Sequence, residues 1–263
     1  MSVGAIRVGV GGWDYDPWRG SFYPPKWPKA KQLDYAAQHL TATEINATYY
    51  KLQKPELFVK WAKAVPDGFK FAVKGSRYCS NRRLLADGGE GVTKFCAQGL
   101  TELGDKLGPI LWQFMGTKRF DPDDLRGFLA LLPREQDGVK LSHVVEPRHE
   151  SFRTPEFVQL CRAAGVGIVF AESDDYPCIA DLSGDLVYAR LQRSREEEPA
   201  GYPDAELDAW AEVAKAWARG ETPPQFPTCA EPAPVKPRDT YVFFISGFKE
   251  RNPLAAMKLI GRL

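Results

Sequence analysis

Glu146, Arg148 and His149 follow the apolar pair Val144-Val145 in the segment VVEPRHES. A carboxylate, a guanidinium and an imidazole so close together suit proton transfer beside an anion. Similar polar groups close other apolar runs: Glu44 and Asn46 in TEIN, Lys74 in FKFAVK, Gln113 in PILWQF and Arg190 in LVYARLQ. Two carboxylates held at different pKa by their neighbours divide acid and base roles between them. In that scheme Glu44 and Glu146 are the candidate catalytic pair and His149 assists proton transfer. Lys74, Arg148 and Arg190 neutralise an anionic substrate, Asn46 and Gln113 orient it, and Trp13 and Tyr49 wall the site. Arg19, in the loop WDYDPWRGSFYPPKWP, is available to an anion.

These residues act together only if the fold gathers them. Strand-like and helix-like stretches alternate along the chain. IRVGV, TEIN, FKFAV, PILWQF, HVVE, VGIVFA, LVYARL and YVFFIS read as eight strands. Between them lie apolar stripes at helical spacing, such as Phe157, Leu160, Cys161 and Ala164 after the start signal Thr154-Pro155. Asp121-Pro122 is a second such start, and residues 92–107 read as one long helix. Alternation of this kind implies parallel strands joined by crossovers. Eight units in 263 residues match the size of a single (β/α)8 barrel spanning 1–263. The connection between strands six and seven is too short for a full helix. Residues 222–237 are proline-rich and read as an exposed loop rather than a domain linker.

In a barrel strand, alternate residues face inward. If Ile45, Phe71, Val73, Ile110, Trp112, Val187 and Ala189 pack outward, then Glu44, Lys74, Gln113, Tyr188 and Arg190 point inward. Glu146 arrives at the same strand end, with Arg148 and His149 opening the loop beyond it. Barrel enzymes build their sites at that C-terminal mouth. The bland alternative is a self-neutralising network of Glu44, Lys74, Glu146 and Arg190 with no chemistry. The two readings separate on Glu146. A functional Glu146 crowded by carboxylates is strained, so replacement by Gln costs little stability; a structural partner loses much.

Other motifs carry less. GVGG at 9–12 follows a strand but precedes Trp13-Asp14-Tyr15 rather than a helix, so no nucleotide cofactor is expected. His39 and His143 lie away from the mouth, which leaves too few ligands for a zinc cluster. A single Mg²⁺ or Mn²⁺ on Glu44 and Glu146 is compatible with the residue types. Residues 1–83 carry 14 basic against 6 acidic side chains in a chain of net charge +1. With Arg77, Arg82 and Arg83 around Tyr78, this raises a second function, binding of single-stranded nucleic acid. Five scattered cysteines without a metal-like spacing fit a reducing cytoplasm. No stretch is apolar enough to span a membrane. Oligomeric state is not encoded in any pattern.

The segments GVGGWDYDPWRGSFYP, TEINATYYKLQKPE, FKFAVKGSR, LGPILWQF, VVEPRHESF and GVGIVFAES resemble, in order, the motifs of the YecE-like proteins. The resemblance covers nearly the whole chain and implies a TIM barrel of unassigned activity. This sequence departs from the family's pattern where Ser246 and Gly247 follow the last strand in FFISGFKERNP, and in the proline-rich 222–237 stretch, which looks like an insertion.

Overall fold

Alternation of side chains along each strand produces two separate apolar clusters. In the computed structural model, which describes residues 3–263, eight parallel strands close into a barrel. They are β1 (Ile6–Gly11), β2 (Ala42–Ile45), β3 (Lys70–Lys74), β4 (Leu107–Gln113), β5 (His143–Glu146), β6 (Gly167–Glu172), β7 (Leu186–Leu191) and β8 (Asp239–Phe244). Each pairs with its sequence neighbours, and β8 returns to β1. The inner cluster is Ala42, Ala72, Leu111, Val144, Val169, Tyr188, Tyr241 and Phe243. Ile45, Phe71, Val73, Ile110, Trp112, Val187 and Ala189 join the outer layer, between strands and helices. The inward and outward assignment therefore holds on every strand used to build the site.

The helix starts form as their cap residues dictate. Asp121 Oδ1 accepts the N–H groups of Asp123 and Asp124, opening the helix Pro122–Leu131. Thr154 caps Pro155–Ala164 through the Phe157 N–H, and Gly165 ends it at φ 67°. The expected long helix over 92–107 is broken. Gly99, at φ 104°, separates Gly89–Cys96 from a tighter 3₁₀ stretch at Leu100–Lys106. No helix joins β6 to β7, as the length of that connection requires. A two-stranded hairpin, Glu135–Gln136 with Val139–Lys140, precedes β5 and was not legible in the sequence pattern.

Residues 222–237 contain no helix or strand, yet they are pinned to the barrel wall. The Phe226 ring stacks on Trp210, with centroids 5.7 Å apart, and Asp181 accepts the Cys229 and Ala230 N–H groups. The glycines of GVGG also have a structural reason. A Cβ at Gly9 would lie 1.9 Å from the Ala42 carbonyl oxygen, where β1 and β2 approach closely. Among the described residues no helix is long and apolar enough to cross a membrane.

Candidate active site at the barrel mouth

Glu44 on β2, Glu146 on β5 and Arg190 on β7 are not neighbours in the sheet. They meet because all three point inward near the strand ends, and together they form a buried floor. Arg190 Nη1 donates to Glu146 Oε2 at 2.7 Å, and Nη2 donates to Glu44 Oε1 at 3.1 Å. The planar guanidinium thus bridges two carboxylates that would otherwise repel across the barrel. Tyr188, one inward step below Arg190, donates from Oη to Glu44 Oε2 at 2.7 Å. Gln113 Nε2 donates to Glu146 Oε2 at 2.7 Å, across the adjacent β4–β5 register.

Above the floor lies a rim that is mostly buried. Arg148 Nε donates to Glu146 Oε1 at 3.3 Å, and its guanidinium lies 4.0 Å from the centre of the Tyr176 ring. Lys74 Nζ stands 4.6 Å from the centre of the Tyr49 ring. Among the described residues it makes no ion pair or hydrogen bond, whereas both carboxylates of the floor are engaged. Asn46 sits against Gly11 at the end of β1. Two carboxylates thus face three cations, of which Lys74 and Arg148 are partly accessible and Arg190 is buried.

The titration pattern differs from that expected of a carboxylate pair. Burial pushes the Glu146 carboxyl up, but Arg190, Arg148, the Gln113 hydrogen bond and Lys74 together hold it below the usual value. Glu146 is therefore a fixed anion at neutral pH and cannot serve as the resting general acid. Proximity to Glu44 does not strain it, because Arg190 stands between them. The group brought into range is Lys74. Burial lowers its pKa to about 8, with Arg190 and Arg148 adding to the shift and Glu44 and Glu146 opposing it. The expectation that Glu146 exchanges a proton near neutral pH is therefore not supported by its surroundings.

Three predicted site residues lie outside this cluster. Trp13 packs edge-on against Trp61 and Phe71, in the layer outside the strands, so it does not wall the mouth. Arg19 is exposed and pairs with Asp16 at 3.5 Å. His149 uses Nδ1 to accept the Ser151 N–H at 3.1 Å, capping the turn Glu150–Phe152 rather than contacting the floor. Conversely, Tyr176 and the Tyr188–Glu44 hydrogen bond are parts of the site that the residue pattern did not single out. The strand alternation placed Tyr188 inward, and only its partner was hidden; nothing in the sequence marked Tyr176. The carboxylates also fit a divalent cation poorly. All four of their oxygens already accept hydrogen bonds, and among the described residues no three His, Cys, Asp or Glu side chains converge as a metal site. A cavity of about 600 Å³ lies at the opposite end of the barrel, beside Leu129, His143 and Leu186, and contains none of these groups.

A family model described as "Protein of unknown function DUF72" matches residues 7–263. The chain belongs to the DUF72 family. The UPF0759 protein YecE of Escherichia coli K12 is 29% identical over 152 residues, 56% of this chain and 50% of YecE. The matched region thus spans half the length of that curated relative. A DUF72 protein from Thermotoga maritima superposes with a TM-score of 0.76 at 22% identity, over 98% of both chains. SacUVDE shares the fold at a TM-score of 0.54 and 10% identity, over 97% of both chains. The YecE-like resemblance of the motifs and the barrel it implied are thus established for this DUF72 chain.

The geometry makes Glu146 a structural partner. Glu146→Gln should destabilise the protein by about 3 kcal/mol or more at pH 7, because Arg190 loses half of its compensation. The folded carboxyl titrates below its unfolded value of 4.5. Its stabilisation is present above that pH and is lost as pH falls through the folded value. The gap between wild type and variant should therefore narrow in acid. Denaturant melts measure this, and equal stability at pH 7 would contradict the bridge.

Proposed function

We propose that this chain is an enzyme that binds a small anionic substrate, phosphorylated or nucleotide-derived, at the C-terminal mouth of its barrel. The observation that carries this reading is the separation of roles between floor and rim. Glu44, Glu146 and Arg190 bind one another and act as positioning residues, while Lys74 and Arg148 present positive charge to solvent. Lys74, poised near neutral pH, is the proton donor or acceptor, and Arg148 anchors the anion. Gln113 holds Glu146 in place, and Asn46 and Tyr49 border the opening. Glu146 assists by electrostatics rather than by exchanging a proton itself.

This arrangement gives Lys74 a recognisable signature. Its folded pKa is depressed, so its charge opposes folding below about pH 8, and that penalty fades as pH rises toward 10.5. Lys74→Met should therefore not lower the melting temperature at pH 7. Binding of inorganic phosphate, measured by calorimetry, should weaken about tenfold or more in Lys74→Met and in Arg148→Met. It should also weaken in wild type as pH rises through 8. Unchanged phosphate affinity in both variants would remove the proposal.

A second reading, a binding protein for single-stranded nucleic acid, is favoured by two stacked pairs outside the mouth. Arg77 lies 5.6 Å from the centre of the Tyr50 ring, and Arg82 lies 4.5 Å from that of Tyr78. Both tyrosines are exposed, at 65% and 64% of their full surface. Such rings stack bases while arginines meet phosphates. Affinity for an oligothymidylate should then fall steeply with salt, and a triple replacement of Arg77, Arg82 and Arg83 by Ala should flatten that slope. No binding at low salt would dismiss this reading.

A further inference from the structure

The mouth contains two permanent cations, Arg148 and Arg190, so charge alone does not explain why the third is a lysine. A guanidinium binds carboxylate or phosphate in a fixed two-pronged geometry and stays charged at any physiological pH. An amine differs in one chemical respect: its neutral form carries a nucleophilic lone pair. Lys74 is placed so that this form can be used. Its Nζ has no ion-pair partner among the described residues, lies over the Tyr49 ring and feels the charge of both guanidinium groups. Its backbone is held, because Thr48 Oγ1 donates to the Lys74 carbonyl at 2.7 Å and β3 pairs through Lys74 with Leu111 of β4.

We infer that Lys74 forms an imine with an anionic aldehyde or ketone whose carboxylate or phosphate group is held by Arg148. This inference rests on the anion-binding reading of the same mouth and names its substrate class. In the step itself, the Nζ lone pair adds to the carbonyl carbon and the C–O π pair moves to oxygen. The carbon–oxygen bond then breaks, and the oxygen leaves as water carrying the two protons of the amine. A carbon–nitrogen double bond replaces it, and no oxidant or reductant takes part. Protonated on nitrogen, the imine draws electrons from the neighbouring carbon, which eases loss of a proton or a carboxyl group there. Two features support formation of the imine. Burial and the two guanidiniums leave a useful fraction of the amine neutral near pH 7.5. Arg148 compensates the charge of the substrate without consuming the amine.

The test uses the intact wild-type protein, glyoxylate as the probe and cyanoborohydride as the trapping reductant, with peptides read by mass spectrometry. Glyoxylate is small enough that fit does not limit it, and reduction leaves a carboxymethyl group on the lysine that reacted. At pH 7.5 Lys74 should be labelled on the order of tenfold faster, or more, than the exposed Lys60. Its labelling should rise to a plateau above pH 8, and inorganic phosphate should slow it by occupying Arg148. Lys74→Arg should lose that adduct while keeping the slow labelling of Lys60. Labelling of Lys74 at the rate of Lys60 would overturn the imine. If phosphate still bound in a Lys74-dependent way, the anion site would stand without it. If phosphate did not bind either, both readings would fall together.

Discussion

One interaction organises the interior of this barrel at its C-terminal end: the guanidinium of Arg190 held between Glu44 and Glu146. Two carboxylates inside a barrel repel strongly, because little water is present to screen them. The bridging cation turns that repulsion into two short ion pairs, at 2.7 and 3.1 Å. Tyr188, Gln113 and Arg148 complete the coordination of the carboxylate oxygens. Strand spacing and register on β2, β5 and β7 must then keep the three side chains at one level. The floor is thus a constraint on the whole sheet as well as a local network.

The consequence reaches the rim. Arg190 pairs with Glu44 and Glu146, and although both carboxylates still favour the Lys74 charge, burial and the two guanidiniums outweigh them. The lysine is left with burial, an aromatic ring and like-charged neighbours, which bring its pKa down to about 8. A structural network designed for stability alone would have paired this amine. The unpaired, partly buried charge of Lys74 is the pattern expected where a site trades folding energy for reactivity. Floor and rim therefore divide the labour, with stability below and reactivity above.

The period-two pattern made most of the fold legible. Ile45, Phe71, Val73, Ile110, Trp112 and Val187 alternate with polar or small residues, and alternation is a local property that survives folding unchanged. Asp121 and Thr154 announced their helices for the same reason, since a cap acts within three residues. What the pattern could not supply were contacts made only when the barrel closes. Tyr188 and Glu44 are 144 residues apart, and no local rule pairs them. His149 has the right chemistry for a site, but its Nδ1 caps its own turn, a use of equal local plausibility. Trp13 follows a glycine in a left-handed conformation, which the sequence permitted but did not require, and packs outside the strands. The balance between Glu146 and Lys74 was hidden as well, because it depends on which carboxylates Arg190 engages.

Titration of Lys74 itself is the most direct measurement of this account. With lysines labelled with ¹³C at Cε, the Lys74 resonance can be assigned by its loss in Lys74→Arg and followed against pH by NMR. The predicted midpoint lies near 8, well below the ordinary lysine value of 10.5. A Lys74 midpoint close to 10.5 would contradict it, because the amine would then be an ordinary surface cation and the floor would leave no mark on the rim.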